Sequence, residues 1–170
     1  MLRTILYFHI FFLFIVTQAK AHFNWVEIGV NGLTCSQCSR STELSIKKLD
    51  FVQDVQMDLE HTQGRITFKP GAKVSIEKIA KAVEDAGFSV RYLKADFVFD
   101  NISINNGSCF SFENKMYQFV KSETKTLKGE AQIKFLGKNF LPKKEFKEWE
   151  PELKPKCAEA KEWVFYVTLT

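Results

Sequence analysis

"WVEIGVNGLTCSQCSRSTELSIKKL", residues Trp25 to Leu49, contains the sharpest change of pattern in the chain. Trp25 to Val30 alternate apolar and polar side chains, the period of a half-buried strand. Asn31-Gly32 is a turn signal. From Gln37 to Leu49 the apolar positions Leu44, Ile46 and Leu49 fit a helix, with Ser41 and Thr42 assigned to its exposed side. Cys35 and Cys38 fall where strand gives way to helix. A Cys-x-x-Cys pair there reads as a metal grip, a redox pair or a local disulfide.

Working outward, the same alternation of elements continues. Phe51 to Leu59 alternate again, "EHTQGR" is a polar turn, and Ile66 to Phe68 form a further strand closed by Pro70-Gly71. Ser75 stands as an N-cap before Ile76, Ile79, Ala80, Val83 and Ala86, which follow the helical period. Gly87 ends that helix, and Phe88 to Leu93 read as a last strand. The order β-α-β-β-α-β is the ferredoxin-like arrangement.

From about Ala95 the helical period disappears. Short aromatic strands take over in "DFVFDNISI", "SCFSF", "KMYQFV", "EAQIKFL" and "EWVFYVTL". Asn105-Asn106-Gly107, Lys128-Gly129 and Gly137-Lys138 read as the turns between them. The fold class expected is α+β, a ferredoxin-like domain followed by a small all-β barrel or sandwich. Three prolines interrupt the long stretch around residues 140–163, which reads as a connection with one short helix near Lys143 to Trp149. The chain has 17 Phe, and those after residue 95 alternate with polar residues, as the core faces of strands do.

The chain opens with one charge, Arg3, then the apolar run "ILYFHIFFLFIV" and small residues at Ala19 and Ala21. That is the layout of a secretory signal peptide, and the run is short for a membrane span. The expected organisation is therefore a signal peptide at 1–21, a first domain at 22–94 and an all-β domain at 95–170. Location is then periplasmic or secreted, with no membrane attachment after cleavage. Loss of residues 1–21 removes Arg3 and Lys20 and no acid, so the net charge falls from +4 to +2. So even a balance argues against nucleic acid as a partner.

Thiolates are soft donors that select soft ions such as Cu(I), and two of them hold a d¹⁰ ion in near-linear geometry. Structural zinc asks for four ligands, and the first half supplies only two thiols. Cys38 lies in the first helical turn, where the helix dipole enriches the thiolate that metal binding needs. Cu(I) is the ion expected, with Hg(II), Zn(II) and Cd(II) as other candidates. Cys109 and Cys157, distant in sequence, read first as a disulfide closing a long loop in an oxidising compartment. The alternative for them is a second soft-metal site aided by Met116. His22 is a weaker candidate, as a Cu(II) chelator at a cleaved amino terminus; His61 reads as a solvated hairpin residue. No nucleophile elbow or triad context is present, and the chain reads as no enzyme.

Residues Trp25 to Leu93 resemble a heavy-metal-associated domain, the family of copper chaperones, copper-ATPase N-terminal domains and the periplasmic mercury-binding protein. The family's Gly-Met-Thr-Cys-x-x-Cys stands here as Gly32-Leu33-Thr34-Cys35-Ser36-Gln37-Cys38, and its second-helix ending as Asp85-Ala86-Gly87-Phe88. Leu33 replaces the usual Met, a nearly volume-conserving change. Phe88 stands where cytosolic chaperones tend to carry Lys. The resemblance implies a carrier that holds its ion on Cys35 and Cys38. Such a carrier passes the ion to a metal donor or acceptor, such as a copper-transporting ATPase or another metal transporter. The competing reading is an envelope interaction module whose Cys-x-x-Cys is vestigial or disulfide-bonded and whose β-domain binds the partner.

Overall fold

The structure is a computed structural model that describes residues 21–157 and 164–170. Residues 1–20 of the expected signal segment at 1–21, and Trp163, lie outside the described residues. Elements follow in the order β1 (His22–Asn31), α1 (Ser36–Lys47), β2 (Val52–Asp58), β3 (Gln63–Phe68), α2 (Ile76–Asp85), β4 (Ser89–Ile104), β5 (Cys109–Phe112), β6 (Lys115–Phe119), β7 (Lys125–Leu136), α3 (Lys143–Trp149) and β8 (Val164–Leu169). A short 3₁₀ turn, Glu150–Glu152, follows α3. The first half is the expected β-α-β-β-α-β unit, and α3 falls where the sequence placed a short helix.

The second half departs from expectation. Its strands form no separate barrel or sandwich among the described residues. They extend the first sheet into one eight-stranded sheet of order β2-β3-β1-β4-β7-β8-β6-β5. Neighbours are antiparallel except β6 and β8. The stretches Phe88–Leu93 and Asp96–Ile104, read in the sequence as two strands, are one. β4 pairs with β1 from Ser89 to Val98 and with β7 from Lys94 to Ile104. The expected boundary at residues 94 and 95 thus lies inside a strand. Lys128-Gly129, read as a turn, sits within β7 opposite the irregularity between Phe99 and Ile102. Gly129 there takes a φ of +83°, a bulge geometry that glycine adopts without Cβ strain.

One pleat face carries the core from end to end. Val26, Ile28 and Val30 of β1, Leu93, Ala95 and Phe97 of β4, Phe135 of β7 and Val167 of β8 are all buried. Over the first strands α1 and α2 cover this face. Beyond β4 the sheet rolls over itself. Phe112 of β5 meets Phe97 with ring centroids 4.9 Å apart and Phe23 of β1 at 5.5 Å, although four strands separate β5 from β1 in the sheet order. Edge-to-face contacts of this kind add to the stabilisation from burial. An ion pair ties the roll to the first half: Lys115 Nζ donates to both carboxylate oxygens of Glu77 on α2 at 2.7 and 2.8 Å. On the opposite face, Phe146 and Trp149 of α3 pack over Leu136 and Tyr166.

Helix α1 faces differently from the sequence reading. Its buried positions are Ser39, Thr42 and Ile46, while Leu44 is 46% exposed. Spacings of three and four put those three on one stripe, and Leu44 falls on the opposite side of the helix. Thr42 is buried at little polar cost because its Oγ1 donates to the Cys38 carbonyl at 3.2 Å.

Phe97 touches rings from β1, β4 and β5, so Phe97→Ala is expected to cost about 3–5 kcal/mol. The loss should appear in denaturant melts as one transition shared by probes in both halves. Two separate transitions would contradict the single core described above.

Candidate metal centre

The strand-to-helix connection after β1 is shaped by its glycine. Gly32 has a φ of +91°, in the left-handed region that glycine enters freely. A Cβ there would meet the Phe88 ring at 3.4 Å, so Phe88 packs beside the loop. The Thr34 N–H then closes on the Gly32 carbonyl at 2.9 Å. Leu33 turns inward and is buried, anchoring the loop as an inward Met would.

Cys35 is the N-cap of α1. Its backbone is extended, and its Sγ accepts the Cys38 backbone N–H at 3.2 Å. The sulfur thus occupies the place of a capping oxygen. No acidic residue lies in the first turn of α1, so the positive end of the helix dipole remains available to a thiolate. Cys35 is exposed, while Cys38 is half-buried and packs against the core. Their Cα atoms are 5.3 Å apart, and the structure holds the pair as a disulfide.

Two further segments share this end of the molecule. The β2–β3 hairpin is fastened to the end of β1 by the Val30 N–H, which donates to the Thr62 carbonyl at 2.9 Å. Arg91 Nη2 donates to the His61 carbonyl at 2.6 Å. The His61 side chain is exposed and its Nδ1 lies 2.7 Å from Asp58 Oδ2. The backbone N–H of His61, and then its ring, hold the Asp58 carboxyl below the usual range. Tyr92 lies across Gly29, where a Cβ would come within 2.4 Å of the ring. Its hydroxyl sits 3.0 Å from Glu27 Oε1. Burial first, and then that hydrogen bond, push the phenol up to about 12.

The other sequence candidates lie elsewhere. His22 starts β1 opposite Val98, at the far end of the strand from the cysteines. Cys109 and Cys157 form a second disulfide, with Cα atoms 5.9 Å apart. Met116 faces Ser111 on the β5–β6 hairpin. Among the described residues no group of three or more His, Cys, Asp or Glu side chains is placed to hold a metal ion. Cys35 and Cys38 therefore stand as a two-donor set, which suits a linear d¹⁰ ion better than four-coordinate zinc. No described helix is long and apolar enough to cross a membrane.

The heavy-metal-associated domain matches residues 27–89. Over 74 residues the chain is 36% identical to the mercuric transport protein periplasmic component of Pseudomonas fluorescens, covering 44% of this chain and 80% of that protein. The chain belongs to the heavy-metal-associated domain family. Over 64 residues it is 33% identical to the copper chaperone CopZ of Staphylococcus haemolyticus (strain JCSC1435), covering 38% of this chain and 93% of that one. It is 31% identical over 98 residues to a probable copper-transporting ATPase, HMA5, of Arabidopsis thaliana, covering 55% of this chain but 10% of the ATPase. Among solved structures, oxidized MerP from Ralstonia metallidurans CH34 is 37% identical, covers 41% of this chain and 97% of its own, and gives a TM-score of 0.37.

Two outcomes follow from this geometry. Exposure and the Cys38 N–H both favour reaction at Cys35, so limiting iodoacetamide added to the reduced protein should label Cys35 several-fold ahead of Cys38, read by peptide mass spectrometry. The Tyr92 phenol is raised from 10 to about 12. Its stabilising share is intact below pH 10 and is lost as pH rises through the folded value. Stability should therefore fall across that alkaline window, and Tyr92→Phe should make the fall shallower.

Proposed function

We propose that the protein is an extracytoplasmic carrier or buffer of one soft ion, held by Cys35 and Cys38 and passed on by thiol exchange. The observation that carries this reading is the pair itself. Two sulfurs sit at an acid-free helix start, one exposed and one braced against the core. The disulfide must first be opened by a dithiol reductant, which is oxidised as the two thiols form. Binding then exchanges two thiol protons for the ion. An incoming partner thiolate reaches the ion from the exposed Cys35 side and gives a three-sulfur intermediate. Departure of the carrier's two sulfurs, reprotonated in turn, completes the transfer as further partner donors engage. Cys35 is exposed and Cys38 only half-buried, so release from the Cys35 side needs no unfolding.

Cu(I) is the ion proposed, because two thiolates satisfy it without further protein ligands. Hg(II) shares that preference, and one relative is named for mercuric transport. The proposed partner is a metal donor or acceptor such as a copper-transporting ATPase, a protein named among the relatives. Placement outside the cytoplasm rests on the apolar leader and on the periplasmic relative's name. Residues 22–94 are proposed as the carrier unit and 95–170 as the part that docks it. The protein acts here as a carrier, with no catalytic step assigned to it. The Cys35–Cys38 disulfide favours a second reading, an interaction module in which the pair stays closed.

Anaerobic titration separates the two. In a Cys109→Ser/Cys157→Ser background, the reduced full chain should take one Cu(I) from a chromogenic competitor and show thiolate-to-copper charge-transfer absorption. Adding Cys35→Ser and Cys38→Ser should abolish both signals. Copper retained without these sulfurs, or none taken with them reduced, would sink the carrier reading.

A further inference from the structure

The Cys109–Cys157 disulfide looks at first like a simple staple. It joins the start of β5 to the segment after the 3₁₀ turn, across 48 residues. What holds that segment in place, however, is Gln118. This side chain is 1% exposed. Its Nε2 donates to the Lys154 carbonyl at 2.9 Å, and its Oε1 accepts the Lys156 N–H at 2.8 Å. Gln118 also pairs directly across the ladder with Cys109, and its Oε1 lies 3.5 Å from Cys157 Sγ. Gln118 therefore positions both cysteines without using the S–S bond: its buried amide holds the segment that carries Cys157, and its backbone pairs with Cys109. The segment is held further by Lys121 Nζ, 3.5 Å from Glu152, and by Leu153 packing on the α3 cluster.

We infer that Cys109 and Cys157 form a second soft-metal site, closed as a disulfide when oxidised and open to one monovalent thiophilic ion when reduced. A dithiol reductant opens the bond by thiol exchange and leaves as its own disulfide. The ion then replaces two thiol protons and the centre carries one negative charge. Lys156, next to Cys157 in the chain, is the cation of this segment. The Lys156 side chain lies across Gly107, so close that a Cβ on that glycine would sit 3.2 Å from Nζ. Cys109 Sγ lies 3.5 Å from the carbonyl of the same glycine. A neighbouring lysine favours the thiolate, and thiolate pairs select Cu(I) or Ag(I) over harder ions. Gln118 is the positioning residue: with both its hydrogen bonds made within the fold, it keeps the sulfurs adjacent after reduction.

The site is independent of Cys35 and Cys38, and the test keeps them apart. The Cys35→Ser/Cys38→Ser full chain, reduced and anaerobic, is titrated with Ag(I) and with Cu(I) against a competitor, and counted by native mass spectrometry. One ion per chain is expected, against two for the reduced wild type and one for Cys109→Ser/Cys157→Ser. The ion of the Cys35→Ser/Cys38→Ser chain should be lost to the competitor in concentrated urea, where Gln118 no longer holds the sulfurs. In native buffer Gln118→Leu should weaken its binding about 10- to 100-fold. No ion in the Cys35→Ser/Cys38→Ser chain overturns the site. An ion held equally well in urea overturns its preorganisation.

Discussion

The double pairing of β4 is the constraint on which the rest of the molecule depends. Its sixteen residues hydrogen-bond to β1 through the first part and to β7 through the second, with Lys94 to Val98 engaged on both sides. A strand satisfied on both edges fixes the pleat, and the pleat decides which side chains face inward. The aliphatic core beneath α1 and α2 and the aromatic core of the rolled half are therefore one surface. At the cysteine-bearing end, loop 32–35, the β2–β3 hairpin and the turn after α2 are all rooted in that sheet. The loop can be exposed without being loose.

Much of the first half is legible in the sequence because its signals are local. Ser75 and Gly87 bracket α2 by capping chemistry, and the Cys-x-x-Cys lies where turn meets helix. The facing of α1 is not legible from hydropathy. Ser39 and Thr42 are buried where the helix packs closely, and the Thr42 hydroxyl is satisfied inside its own helix. Leu44, the more apolar residue, lies on the side of the helix away from the buried stripe. The continuity of β4 was present as an unbroken alternation: Leu93, Ala95 and Phe97 turn in, while Lys94 and Asp96 lie on the other face. A change from aliphatic to aromatic residues hid it. Gly129 read as a turn because a bulge and a turn ask the same of a glycine. Gln118 gave no signal, since its partners are backbone groups of a segment far along the chain.

The two cysteine pairs solve one geometric problem in different ways. Cys35 and Cys38 are brought together by three residues and a helix cap, so their proximity is local and survives as long as α1 does. Cys109 and Cys157 meet only through the tertiary fold, by way of β6 and a buried amide. Local pairs tolerate distortion at modest cost in chain entropy, whereas distant pairs depend on the packing that brings them together.

A consequence of the rolled sheet concerns where the heavy-metal-associated unit can be separated from its neighbour. Ending the polypeptide at Lys94 would leave β4 truncated halfway and strip Phe23 of Phe97, Phe112, Tyr117 and Phe135, all of which it meets here. The remnant would present an unsatisfied strand edge beside a bared aromatic ring, the combination that invites chains to stack edge to edge. The metal-associated half and the aromatic half thus share one backbone seam, and neither keeps its shape when that strand is cut.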